Sequence, residues 1–240
     1  MRETYQRIPD NFLVKWGKRL RRPLNRWLQG QSTIGAGPFF DEARLPGMAL
    51  LSENWESIRD EAEALLANPD SIPPLGRISP DHRRIAPDSS WKSFFLCGYG
   101  YKPAANRSRC PATVALLDRV PGVVVAFFSI FEPGTHVPDH FGMTKAMLNA
   151  HLALIVPRGP GRCELRVRDE VRQWAPGQFL VFDETYSHEA WNLTDEPRVV
   201  LFLHVMRPMR WPGRAASRLF IAAVKRTTIV RDARKALEAG

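Results

Sequence analysis

A mainly β fold with flanking helices is the class this sequence predicts, specifically a double-stranded β-helix of the jelly-roll or cupin kind. Three observations carry that expectation. Short apolar, β-prone runs recur at fairly even spacing over 123–131, 148–156, 163–167, 179–182, 188–192 and 199–206, with turn signals such as WAPGQ between them. They come late in the chain, after helical patterns, and no internal repeat is visible. The length of 240 residues suits one barrel or sandwich domain with terminal additions better than two independent domains.

In chain order, residues 11–29 place Phe12, Trp16, Leu20, Leu24, Trp27 and Leu28 at helical spacing, with six Lys and Arg residues filling the other face. This is a basic amphipathic helix, bent or restarted at Pro23. Tryptophan on its apolar edge suits a helix lying in a membrane interface, and equally a helix packed across the outside of a barrel. Residues 30–37 (GQSTIGAG) form a small-residue linker. A second helix is expected over 53–67, capped by Ser52 and stopped at Asn68 and Pro69. Five prolines make 69–90 a surface loop. Residues 91–101 then read as a strand and 110–120 as a helix started by Pro111. The expected organisation is therefore an N-terminal helical extension and loop over 1–90, a core over 91–211, and a basic helical tail over 212–240.

Hydrophobic residues make up 44% of the chain, enough to bury a sizeable core, so general disorder is excluded. The formal charge of +9 predicts a surface that attracts anions, with the basic residues concentrated at 15–26 and after Arg207. Anionic lipid is the macromolecular partner this suggests, and no nucleic-acid partner is expected. Three cysteines without a CxxC pair argue against a disulfide framework or a zinc ribbon and fit a reducing cytoplasm. No apolar run approaches the length of a membrane span, so membrane association would be peripheral, at the inner face.

The chemistry concentrates between Phe128 and Pro208. His140 and His188 sit in short β-prone segments, and Arg198 follows the second by ten residues. Two imidazoles suit Fe(II), and a fixed guanidinium suits the far end of a dicarboxylic co-substrate. Oxygen-activating iron sites commonly add a carboxylate two residues after the first histidine, but that position is Gly142. Asp139, on the wrong side of His140, would project from the opposite strand face. Three readings follow: no metal, a halide in the vacancy, or water in it. His136 is expected to shape the turn at Pro133 and Gly134. His204 is read as a core histidine, and Cys110 as packing. Asp183 is expected to fix a turn, and either Asp183 or Glu184 could accept from a ligand imidazole.

The blocks PGTHVPDHFGMTKAMLNAHLALIVP, WAPGQFLVFDETYSHEAWN and RVVLFLHVMRP, with NRSRCPATVALLDRVPGV ahead of them, resemble the aspartyl/asparaginyl β-hydroxylase family, which includes lipid A acyl-chain hydroxylases. The resemblance implies an Fe(II)- and 2-oxoglutarate-dependent dioxygenase that uses O2 to hydroxylate an unactivated C–H bond. It implies iron on His140 and His188, and 2-oxoglutarate held by Ser129, His151 and Arg198. Peptide-hydroxylating members likewise have glycine at the position of Gly142 but carry arginine where this chain has Asn149. The FDETY and RPM stretches look more like the lipid A enzymes, which present an acid at the glycine position. The substrate expected is a lipid acyl chain or an aspartyl, asparaginyl or amino-acid-like group. The alternatives are a non-catalytic cupin-like binding module and, as a minor option, a halogenase using the vacancy at Gly142.

Overall fold

A computed structural model describes residues 12–68, 71–79, 82, 84–85 and 89–238, with the backbone alone given for 12–19. The chain runs through α1 (Phe12–Gln31), β1 (Phe39–Phe40), α2 (Met48–Ser52), α3 (Trp55–Leu66), α4 (Leu75–Ile78), β2 (Trp91–Gly98), α5 (Ala104–Ser108) and α6 (Pro111–Leu117). The strands β3 (Val123–Phe131), β4 (Thr135–His140), β5 (Met147–Ile155), β6 (Arg162–Val167), β7 (Glu170–Gln173), β8 (Phe179–Phe182), β9 (His188–Leu193) and β10 (Arg198–Met206) follow. The helices α7 (Trp211–Val224) and α8 (Thr228–Glu238) come last.

All ladders are antiparallel and form two sheets, ordered β1-β8-β5-β10-β3-β2 and β4-β9-β6-β7. The larger sheet is covered on both faces, which explains why its strands read as nearly continuous apolar runs. Side chains alternate across a strand. Phe128, Ile130, Leu152, Leu201 and Leu203 therefore pack against Ile58 and Leu65 of α3, Leu51 of α2 and Leu117 of α6. Phe127, Phe131, Val200 and Phe202 point the other way, onto Val137, Leu165, Val167 and Ala190 of the smaller sheet. The candidate site lies in this second core, between the sheets.

Several elements differ from the sequence expectation. The helix expected over 53–67 is α3, which starts at Trp55 with Asn54 ahead of it, and an additional short helix, α2, precedes it, so Ser52 is no cap. It closes α2, donating to the carbonyls of Met48 and Ala49. Pro23 does not break α1. Part of the loop expected over 69–90 lies outside the described residues, but within it α4 buries Leu75 and Ile78. Residues 39–40 add an edge strand to the larger sheet from the N-terminal segment. All three cysteines are free thiols, and burial pushes that of Cys110 up to about 12.

Candidate active site

The two sheets bring His140 and His188 together although 48 residues separate them: they are cross-strand partners at the ends of β4 and β9. A β-bulge makes this possible. Val137 pairs with Ala190, yet His140 rather than Asp139 pairs with His188, so β4 holds one extra residue. The extra residue sends Asp139 outward, where it accepts from Arg166 and Ser187, and turns the His140 ring inward. The ring centroids lie 4.0 Å apart with a 50° tilt.

Each ring is held the same way. The Nδ1 atoms of His140 and His188 donate to the carbonyls two residues earlier, Pro138 at 2.8 Å and Tyr186 at 3.0 Å. A carbonyl only accepts, so Nδ1 carries the proton and Nε2 keeps its lone pair, the arrangement a metal-binding imidazole needs. Burial, reinforced by the neighbouring His188, lowers His140 to about 4. His188 is also lowered, again by burial first. Both rings are therefore neutral at physiological pH.

Glycine at 142 has a steric reason. A Cβ there would overlap the Glu184 carboxylate, and the Gly142 amide donates to the Glu184 carbonyl at 2.5 Å. The Glu184 carboxylate thus lies where a side chain at position 142 would begin. Its own burial would raise its pKa, but His204, His188 and His82 outweigh that and hold it at about 2. His204 Nε2 contacts its carboxylate at 3.2 Å, so His204 is more than core packing. Among the described residues no group of three His, Cys, Asp or Glu side chains could hold a metal ion. Two imidazoles and open positions fit Fe(II) here better than a closed structural zinc centre would.

Behind the pair, β10 and its neighbours present an unusual set of orphans. Arg198 is 1% exposed, lies 3.6 Å from the ring centre of Phe131 and 4.6 Å from that of Trp174, and pairs with no acid among the described residues. Its Nε and Nη1 have no hydrogen-bond partner. Burial pulls its pKa down to about 9. Both ring nitrogens of the buried His151 are likewise without partners. Burial first, and then Arg198, keep that ring neutral. The register puts Ser129 across from Val200, two residues along from Arg198 and on the same face. Its hydroxyl accepts from Trp91 Nε1 at 3.0 Å, leaving its own proton to donate. Buried polar atoms are rarely left unpaired. A guanidinium, a neutral imidazole and a hydroxyl converging this way suit a carboxylate-bearing guest.

Asp183 fixes the turn as expected: one oxygen accepts from Thr185, while the other takes Lys145 and Arg207. His136 does not shape a turn. It meets Glu189 at 2.7 Å and stacks on Trp191 outside the core. No local signal marks the Glu184–His204 pair, Trp174 over Arg198, or His82, because each reaches the site from a different strand or loop.

A cavity of about 190 Å³ opens beside this set. It is lined by Trp91, Phe95, Phe127 and Phe202 from the sheet, with His82 and His204 among its polar lining groups, and by Ile229 and Leu237 of α8. Phe202 touches both His151 and His204, with ring centres 4.8 and 5.0 Å away, so the cavity adjoins the candidate site.

The profile of the family described as Aspartyl/Asparaginyl beta-hydroxylase matches residues 52–208. The chain belongs to the aspartyl/asparaginyl β-hydroxylase family. An ornithine lipid ester-linked acyl 2-hydroxylase from Rhizobium tropici is 41% identical over 181 residues, 75% of this chain and 64% of that protein. The human aspartyl/asparaginyl beta-hydroxylase is 29% identical over 172 residues, 70% of this chain but 22% of its own length. This chain therefore spans less than two thirds of these relatives. A solved prolyl-4-hydroxylase from Pseudomonas putida is similar over 64% of this chain and 87% of its own, with TM-score 0.44 and 16% identity. Every site residue named above, from His82 to His204, falls inside the span shared with the β-hydroxylase family, whereas α1, α7 and α8 fall outside it.

Proposed function

We propose that this protein is an Fe(II)- and 2-oxoglutarate-dependent dioxygenase that hydroxylates an acyl chain of a membrane lipid, with 91–211 as its catalytic core. The observation that carries the reaction class is Arg198, a buried cation with no acid of its own set behind two imidazoles whose Nε2 lone pairs are free. His140 and His188 would hold the iron. Arg198 would take the distal carboxylate of 2-oxoglutarate, with Ser129 donating its hydroxyl proton and His151 adding a neutral hydrogen-bond partner. When bound, Fe(II), 2-oxoglutarate and O2 together supply an oxidant able to break an unactivated C–H bond, chemistry that belongs to the cofactor. The chain does the rest. The carbonyls of Pro138 and Tyr186 fix the imidazole tautomers, the aromatic walls exclude water, and Glu184 adds a negative charge beside two neutral ligands. That charge disfavours a halide at the vacancy beside Gly142, so hydroxylation is preferred to halogenation.

The substrate class rests on the cavity. Its walls are aromatic and aliphatic, and its volume corresponds to about six water molecules, room for a hydrocarbon segment. Asn149, buried on the same strand, is neutral and offers no charge to an acidic side chain. The ester-linked acyl chain of an ornithine lipid is the first substrate to try, with the 2-position as the site of oxidation. Purified protein with Fe(II), 2-oxoglutarate and that lipid should consume O2, form succinate and add one oxygen to the lipid. An aspartyl peptide that stimulates succinate formation when the lipid does not would defeat the acyl reading. A protein that binds no iron and shows no visible absorption band with Fe(II) and 2-oxoglutarate under anaerobic conditions would be a binding module instead.

A further inference from the structure

We infer that α1, together with residues 141–143 beside the imidazole pair, is the face by which this protein docks on an anionic lipid bilayer. The inference rests on the acyl-chain reading for its purpose, but not for its evidence. α1 splits into two sides. Asn25 and Leu28 are buried against the protein, whereas Leu20, Leu24 and Trp27, at i, i+4 and i+7, are 53%, 40% and 43% exposed. An apolar stripe normally faces a core. Here it faces solvent, flanked by the exposed Arg22 and Arg26.

The stripe continues onto the rim of the site. Phe141 and Met143, next to His140, are 58% and 61% exposed. α1 holds them there: Arg21 donates to the Gly142 carbonyl at 3.2 Å and lies 4.9 Å from the ring centre of Phe141, and Asn25 donates to the Met143 carbonyl at 3.1 Å. α7 meets the far end of α1, where the close approach of Gly213 to Gln31 leaves no room for a Cβ, and it exposes Trp211, Arg214, Arg218 and Leu219.

Charge selects the partner. α1 contains six Lys or Arg residues and no acid, and α7 contains no acid either. Exposed Trp and Leu between arginines, without a single carboxylate, fit the headgroup layer of an anionic membrane, where apolar insertion and phosphate attraction act together. A bilayer on this face lies next to Gly142, whose neighbour Glu184 contacts His204 at the edge of the cavity. An acyl chain leaving the membrane there has a short path to the imidazoles.

Co-sedimentation of the whole protein with vesicles tests this. Vesicles of equal parts phosphatidylglycerol and phosphatidylcholine should carry the protein down, pure phosphatidylcholine should not, and about 1 M salt should release it. Leu24→Ser with Trp27→Ser should weaken binding by about tenfold or more, and Arg22→Gln with Arg26→Gln by on the order of tenfold. These residues touch neither cofactor nor substrate site, so anaerobic Fe(II) and 2-oxoglutarate binding should be unchanged in both variants, which also shows that they fold. Phe141→Ser should reduce vesicle binding as well. Wild-type protein that stays in the supernatant, equal binding to neutral vesicles, or α1 variants that bind as well as wild type would each overturn the inference. Normal vesicle binding without lipid oxidation would instead defeat the acyl-chain reading and leave the docking face standing.

Discussion

Arg198 sets the terms at the scale of single residues. A guanidinium sealed between two aromatic rings without a counter-ion among the described residues is costly to the protein, because a buried charge is tolerated only when paired. Arg198→Met keeps most of the volume and removes the charge. Its expected result is a thermal midpoint above wild type without ligands, together with a loss of 2-oxoglutarate affinity of about 100-fold or more. Calorimetry of both proteins with and without 2-oxoglutarate checks both halves, and unchanged affinity would refute the assignment. Gly142 and Glu184 form a second test. Gly142→Ala should cost about 1–3 kcal/mol by overpacking against the carboxylate, and Glu184→Ala should recover much of that loss in the double variant. Denaturant titration of all four proteins measures the coupling. His140, His188 and Arg198 could be picked from the sequence because their types and flanking segments are distinctive. Glu184 could not, since its closeness to Gly142 depends on how two separate turns meet.

Among the elements, strands β3 and β8 were legible to the residue, since apolar runs bounded by Gly, Pro and acidic residues leave little freedom. β4 was not. THVPDH contains a proline and four polar residues, and only its bulged pairing with β9 makes it a strand. β7 was hidden for a related reason: all four of its residues are exposed, so no periodicity marks it. α2 escaped because its five residues are too few to show a helical period. α8 yields the prediction at this scale. It buries none of its residues, yet Ile229 and Leu237 roof the cavity. Removing 228–240 should leave the two sheets folded, with far-ultraviolet circular dichroism reduced only by the lost helix, while binding of an apolar dye rises as the aromatic wall is uncovered. A truncated chain that unfolds would mean that α8 is structural.

For the whole molecule, the two cores divide the labour. One joins helices to the back of the larger sheet; the other lies between the sheets and is interrupted by the site. Ligands that fill the interruption should therefore stabilise the entire fold by mass action. Fe(II) and 2-oxoglutarate, each at 100 times its dissociation constant, should each add about 2.7 kcal/mol, or about 5–10 °C apiece in melting midpoint for a chain of this size. Chelating the iron should reverse most of that gain, and a midpoint indifferent to both would place their binding outside the fold. The position of Trp174, against Arg198, has one more consequence. An indole senses the electric field of a nearby fixed charge, so a carboxylate arriving at that guanidinium should change the intrinsic fluorescence of the protein. Trp174→Phe should silence the signal, giving an optical readout of co-substrate occupancy that needs no label and no turnover.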